Sequence, residues 1–418
     1  MKPTLPERLK PLDTISPSLA SKALIDDGCL FRILTQGGSN RSETTDMLPA
    51  SIDGIIGTVI HKVIEWGYRG GHSGRDRDIS DAFDQWDKII DEKEQNLSDD
   101  KINRHLLPLK DRKNYFKKRG RVCHHANKIS QEIRVLEDGT DKSESDMKNR
   151  LIGPEIPVQD KISDPRMKGR IDLVVSDGGN LEIFDWKTGK ILDKEGNLKD
   201  PYKNQMRLYA ALLECKQKNL DSDDVKFPRR GVIKNPLTGS KEILCEEGLD
   251  PELCRELLKD AINIYEDINE THKKDDDTDF LMDELAIPSK KGCRYCSIRP
   301  RCRVYLKELE NWMGDITEDL DDIEIQDVIG RFVDKHRSES RSSKGAILLE
   351  DDEARRWRIA GIDLDAERNE AIEGLREGEM VGVFNIYKNT RCDLPEYINL
   401  LANPTRHIVY DIESMLSR

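Results

Sequence analysis

At 418 residues the chain exceeds one ordinary domain and can bury a sizeable core, so two or three units are expected. Hydrophobic and charged residues each make up 36%, and no apolar run approaches the roughly 18 to 20 residues that span a bilayer. The start, MKPTLPERLKPLDTISPS, has no apolar signal segment, so a cytoplasmic protein without membrane contact is expected. The net charge of −13, from 68 basic and 81 acidic residues, argues against a non-specific coat for nucleic acid. It leaves room for an enzyme whose carboxylates hold metal in a cleft beside a local basic patch.

From Ser16 to Leu34 apolar residues recur at helical spacing, and a first helix is expected to end in the Gly28-Cys29 pair, followed by an aromatic and a basic residue. GIIGTVIHKVIEWG, from Gly54, is apolar nearly all round and predicts a buried helix carrying His61. Residues 73–150 are dense in charge with sparse apolar positions, which predicts a helical insert with solvated faces, ending in the polar loop DGTDKSESDMKN. Three strands are expected in GPEIPVQ, MKGRIDLVVSD and NLEIFDWKTG, the last two joined by the hairpin-type turn SDGGN. QMRLYAALLECKQ reads as a helix, RRGVIKNPLTGSKEILC as a hairpin, and DPELCRELLKDAINIYEDINETHKK as a helix opened by Asp-Pro.

Beyond residue 321 five short strands are expected, in EIQDVIGRFVDK, GAILLE, RRWRIAGIDL, MVGVFNIYK and RHIVYDIE, with one helix, DAERNEAIEGLREG, after the third. That pattern fits an OB-like barrel, an architecture that commonly binds oligonucleotides. A small β domain for protein contacts fits it as well. The expected organisation is N-terminal helices of a core at 1–72, the insert at 73–150, the catalytic core with a cysteine cluster at 151–310, and an all-β unit at 321–418.

Asp172 and Asp185 fall inside strand patterns that should be buried, and a buried carboxylate needs a counter-charge or a metal. Lys187 lies on the same strand face as Asp185, because side chains alternate with period two. Two carboxylates and an ammonium on neighbouring strands suit Mg²⁺ or Mn²⁺ held against a phosphate, while an exposed Asp-Lys pair at a strand end would have no such role. His61 is a single imidazole on an apolar helix, either a satisfied core residue or a ligand, and Gly57 before it permits close packing. Gln205 and Tyr209 share one helix face just after the hairpin, where they could bond a phosphate or position Lys187, or simply serve as cap and core.

In order, G-x3-H, G-R-I-D, D-x-K-T-G and Q-x3-Y resemble the RecB-type branch of the PD-(D/E)XK nucleases, over roughly residues 16–305. The resemblance implies an α/β restriction-endonuclease-like core. It makes His61, Asp172, Asp185 and the backbone carbonyl of Trp186 metal ligands, and gives Lys187 the activation of water. Gln205 and Tyr209 would contact substrate, with Glu155 an additional acid.

Nine cysteines include three within ten residues, Cys293, Cys296 and Cys302, set among basic residues. Three thiolates are one short of the usual four, and Cys29 in GCLFR is the best-placed fourth. AddB-type nuclease domains and CRISPR-adaptation nucleases of the same branch hold a [4Fe-4S] cluster with one early cysteine and a late C-x2-C-x5-C, the pattern found here. A Cys₄ zinc site is the rival, although x2 followed by x5 is unusual for zinc knuckles. The cluster would pin both ends of the core together.

The resemblance thus implies a Mg²⁺- or Mn²⁺-dependent deoxyribonuclease, an exonuclease rather than a site-specific endonuclease, acting on single-stranded DNA or DNA ends in repair, recombination or defence. The other class is a catalytically silent nucleic-acid-binding or scaffold subunit. No G-x4-G-K-[ST] loop is present, so any helicase would be a separate partner.

Overall fold

Two sheets organise the chain. The computed structural model describes residues 5–25, 28–40, 48–72, 78–100, 102–136, 153–177, 180–220, 226–238, 241–244, 249–294, 296–314, 327–338, 341–365, 369, 371–388, 397–403 and 406–412. The polar loop expected after residue 136 and the start of the first C-terminal strand lie outside these residues.

The first sheet has five strands in chain order, β1 (Gly153–Gln159), β2 (Lys168–Asp177), β3 (Asn180–Trp186), β4 (Pro228–Lys234) and β5 (Lys241–Leu244). All pairs are antiparallel except β3 and β4, which run parallel. A parallel pair needs a crossover, and the long helix Asp200–Asn219 provides it.

On β3 the buried Leu181, Ile183 and Asp185 share one face by alternation, while Trp186 turns to the other. On β2 the regular alternation breaks. Ile171 and Val174, three residues apart, both enter the same core, so the face switches at Asp172. The residue opposite in register, Glu155, has left-handed backbone (φ 53). Such irregularities re-aim side chains at functional edges of sheets.

Two layers of helix cover the sheet. One face packs on α1 (Pro17–Ala23), α2 (Leu30–Gln36), the crossover helix and Pro251–Lys274. The N-terminal segment forms two helices rather than one, because Cys29 is extended (φ −94, ψ 115) and starts the second instead of ending the first. The other face packs on α3 (Ile52–His72), α4 (Ile79–Ser98) and α5 (Tyr115–Leu136).

The charged segment is therefore more than a solvated insert. Its sparse apolar positions, Trp86, Ile89, Ile90, Val122, Cys123 and Ala126, form a second core with Leu173 and Trp186 of the sheet. Trp86 is fully buried and donates its indole N–H to the Tyr115 hydroxyl at 2.9 Å. Charge was a poor guide because it marks only the outer faces of α4 and α5.

The C-terminal sheet runs β10-β11-β8-β7-β6-β9-β12, with β6 (Asp327–Ser338), β7 (Arg341–Glu350), β8 (Arg356–Asp363), β9 (Met380–Phe384), β10 (Ile386–Lys388), β11 (Ile398–Ala402) and β12 (Ile408–Asp411). The fourth expected strand is broken at Asn385 (φ 62), so that β9 pairs with β6 and β10 with β11. One chain segment thereby joins β10, at one end of the order, to β9, the neighbour of β12 at the other end. β11, which pairs parallel to β8, was not expected, since INLLA lacks β-branched alternation. RHIVYDIE pairs instead with β9, and the helix expected after the third strand is only Ala371–Gly374 among the described residues.

A buried ion pair joins the two sheets' territories. Arg299, in the cysteine-rich loop, is 1% exposed and places Nε 2.5 Å from Asp327 Oδ2 at the start of β6. It also donates to Asn385 Oδ1 at 2.8 Å and to the carbonyls of Arg294 and Cys296, while the Tyr305 hydroxyl donates to Asp327 at 2.6 Å. Asp327→Ala strands the guanidinium in this dry site, and a loss of about 3–5 kcal/mol in unfolding free energy is expected. Chemical denaturation measures it, and an unchanged midpoint would contradict this role.

Candidate active site

The site forms at the C-terminal end of β3, where the D-x-K pattern leaves the sheet. Asp185 is 3% exposed; its Oδ2 accepts no directional hydrogen bond and lies 2.6 Å from Lys187 Nζ. Its Oδ1 accepts from Gln205 Nε2 at 3.2 Å, and the same amide donates to the Tyr209 hydroxyl at 3.3 Å. Asp172 Oδ2 accepts the main-chain N–H of Trp186 at 2.7 Å and stands 3.8 Å from His61 Nδ1. The main chain of Trp186 also hydrogen-bonds the His61 ring. His61, Asp172, Asp185, Trp186, Lys187, Gln205 and Tyr209 are thus brought together from four elements or their ends.

Two glycines of the recurring pattern make that approach possible. A Cβ on Gly57 would stand 2.9 Å from Thr188 Oγ1, so glycine lets α3 close on the residue after Lys187. A Cβ on Gly169 would meet Pro17 at 2.8 Å and the Tyr209 ring at 3.0 Å.

Charge is unbalanced in this pocket, where two carboxylates face one ammonium. Burial first, and the neighbouring Asp185 second, push Asp172 well above the usual carboxylate range. Burial by itself would lower Lys187, but Asp185 outweighs it and holds the ammonium above its ordinary value. His61 is held below its ordinary value by burial and then by Lys187, which leaves a neutral imidazole with a lone pair to donate. Burial pushes the Tyr209 phenol up, so it stays protonated. Glu155, beside Arg170 at 3.3 Å, is also raised, by burial and by Glu65 one helical turn beyond His61.

Among the described residues no three His, Cys, Asp or Glu side chains are already gathered closely enough to enclose an ion. The donor chemistry nevertheless fits a hard divalent cation. Carboxylate oxygens and a neutral imidazole converge where negative charge is in excess, and a cation there would relieve the protonation that burial imposes on Asp172.

Cys29, Cys293, Cys296 and Cys302 lie near one another, but not gathered closely enough to enclose an ion as they stand. Cys29 starts α2, which is tied to the late loop by Arg32 Nη1 donating to the Gly292 carbonyl at 3.1 Å and Gln36 donating to Ser297 at 3.3 Å. Cys293, Cys296 and Cys302 are buried and free of disulfides. Burial first, then the other cysteines including Cys29, push Cys293 up to about 12 and Cys302 well up. The Ser289 N–H donates to Cys293 Sγ at 3.4 Å. Three buried thiols and the half-buried Cys29, beside Arg32 and Arg299, offer soft donors.

Several residues here carried no signal of their own. Tyr202, whose ring lies 5.7 Å from Lys187 Nζ, falls on the Gln205 and Tyr209 face and was legible by spacing alone. The Trp186 ring, held between Tyr68 and His125 at centroid distances of 6.2 and 5.7 Å, ties the site to α3 and α5.

The raised Asp172 has a consequence for pH. A carboxyl whose folded value exceeds the unfolded one, about 3.9, adds stability below that unfolded value and loses it as pH rises through the folded one. With divalent ions chelated, Asp172→Asn should therefore melt higher than wild type at pH 8, with the gap closing toward pH 4. A variant less stable at pH 8 would contradict the burial argument.

No curated protein matches the chain. The family model for the PD-(D/E)XK nuclease superfamily matches residues 31–303, a span that contains the five-stranded sheet, α3 to α5 and every residue of the site at the end of β3. The chain belongs to the PD-(D/E)XK nuclease superfamily.

Proposed function

We propose that this protein is a metal-dependent DNA nuclease of the RecB-type iron-sulfur branch, cutting single strands or ends in DNA repair, recombination or defence. The observation that carries the reading is the convergence of His61, Asp172, Asp185, Lys187 and the Trp186 main chain at the end of β3.

His61, Asp172, Asp185 and the Trp186 carbonyl would hold Mg²⁺ or Mn²⁺, which supplies Lewis-acid activation of the phosphodiester and of water. The chain's own groups do the remaining work. Lys187 keeps its proton and presents positive charge where the pentacovalent phosphorane gains negative charge. Gln205 fixes Asp185 and links it to Tyr209, whose phenol stays a donor toward substrate. Glu155 and Glu65 crowd the opposite rim with acid.

Cys29, Cys293, Cys296 and Cys302 would hold a [4Fe-4S] cluster that pins α2 to the late loop. The C-terminal sheet is read as an OB-like barrel, a reading supported by the segment broken at Asn385, which links β9 near one end of the strand order to β10 at the other. Its role would be to hold nucleic acid.

Degradation of labelled single- and double-stranded DNA with Mg²⁺ or Mn²⁺ tests the activity. Lys187→Ala and Asp185→Ala should each lower the rate by at least about 10²- to 10³-fold. Equal activity in wild type and both variants would remove the catalytic assignment, and binding without cleavage under any metal would favour the scaffold class. For the cysteines, anaerobically purified protein should show a broad absorption band near the visible edge that Cys302→Ser abolishes. A colourless protein containing stoichiometric zinc would overturn the iron-sulfur assignment.

A further inference from the structure

α5 carries a feature that neither the fold nor the catalytic chemistry requires. Its exposed residues include Lys117, Arg121, His124 and Lys128, spaced i, i+4, i+7 and i+11, which places them in one stripe about 16 Å long. The chain's net charge is −13, so a cationic stripe on one helix face runs against the overall balance.

Among the described residues, the ion pairs of α5 with carboxylates of neighbouring helices involve Lys118 and Arg119 rather than Lys117 or Arg121. Asp53 pairs with Lys118 at 2.7 Å, and Asp87 pairs with Arg119, both on the inner side of α5. Among the described residues neither Lys117 nor Arg121 has a carboxylate within ion-pair distance.

Gly120 lies in the middle of this surface. Glycine in a helix interior costs roughly 1 kcal/mol relative to alanine, and natural helices keep it where a neighbour must come close. Here no neighbour does: a Cβ at Gly120 would meet nothing within 4 Å. The gap leaves room for another chain to reach the helix backbone. One turn earlier on the same face Phe116 is 73% exposed, its ring set edge-on to Tyr115 at 5.2 Å. An exposed aromatic beside a cationic track is the combination that stacks a base while its backbone follows the charge.

The stripe also leads to the site. Arg121 Nη1 donates to the Leu237 carbonyl at 2.9 Å, in the turn after β4, and Lys234 at the end of β4 pairs with Trp186. His125, next to His124, packs its ring against Trp186, the residue between Asp185 and Lys187.

We infer that the outer face of α5 is a single-strand track, on which Lys117, Arg121 and Lys128 bind successive phosphates, Phe116 stacks a base, and Gly120 admits the strand to the helix backbone. The inference rests on the nuclease reading for its substrate, and its test separates the two. Binding of a 20-nucleotide single strand is followed by fluorescence anisotropy in EDTA across a salt series, and cleavage of the same strand is followed separately with Mn²⁺.

The triple variant Lys117→Gln, Arg121→Gln, Lys128→Gln should bind more weakly and lower the salt slope by about 2. Phe116→Ala should lose roughly 5- to 100-fold in affinity. Gly120→Leu should weaken binding while melting no lower than wild type, an opposition that a merely structural glycine would not produce. Wild-type affinity and slope in the triple variant, or wild-type affinity in Gly120→Leu, would overturn the track. Duplex bound as tightly as single strand, without sensitivity to Phe116→Ala, would overturn the single-strand assignment. Loss of binding in the triple variant together with no cleavage by wild type would support the track and contradict the nuclease reading.

Discussion

At the end of β3 two buried carboxylates share one ammonium, and the rest of the structure is arranged around that imbalance. Asp185 is matched by Lys187 at 2.6 Å, but Asp172, directly across the strand pair, is left with one main-chain N–H and a neutral imidazole. A stable protein gains nothing from such a pocket, since an unmatched buried charge destabilises the fold. A divalent cation would let Asp172 ionise there, which is why the pocket rather than the fold carries the functional proposal.

Holding that pocket in shape takes two cores. One face of the sheet is packed by α1, α2 and the long helices, whose Gln205 and Tyr209 reach Asp185. The opposite face is packed by α3 to α5, whose rings hold Trp186 and with it the main chain that bonds both Asp172 and His61. The cysteine loop and Arg299 then tie α2 and the C-terminal sheet to the same body. A shift of any of these supports would be felt at Trp186 or Gln205 before it reached the carboxylates themselves.

The strands around Asp172 and Asp185 were legible in the sequence because alternation and turn residues are local signals, and the family match agrees with the fold they imply. His61 was legible as one imidazole on an apolar helix. What charge density concealed was the inner face of α4 and α5, where Trp86 and Val122 are diluted by solvated neighbours. The break at Asn385 and the role of Arg299 were not legible, since the two residues meet across a separation of 86 residues in the chain. The strand at Ile398–Ala402 was missed because its apolar residues do not alternate, and it is defined by pairing parallel to β8.

The pocket at the end of β3 is proposed to be a divalent-cation site, and anomalous diffraction from crystals soaked in Mn²⁺ tests this most directly. One manganese peak bounded by Asp172, Asp185, His61 and the Trp186 carbonyl is expected, absent from Asp185→Ala crystals treated alike. Full occupancy elsewhere, with this pocket empty in the wild type, would contradict it.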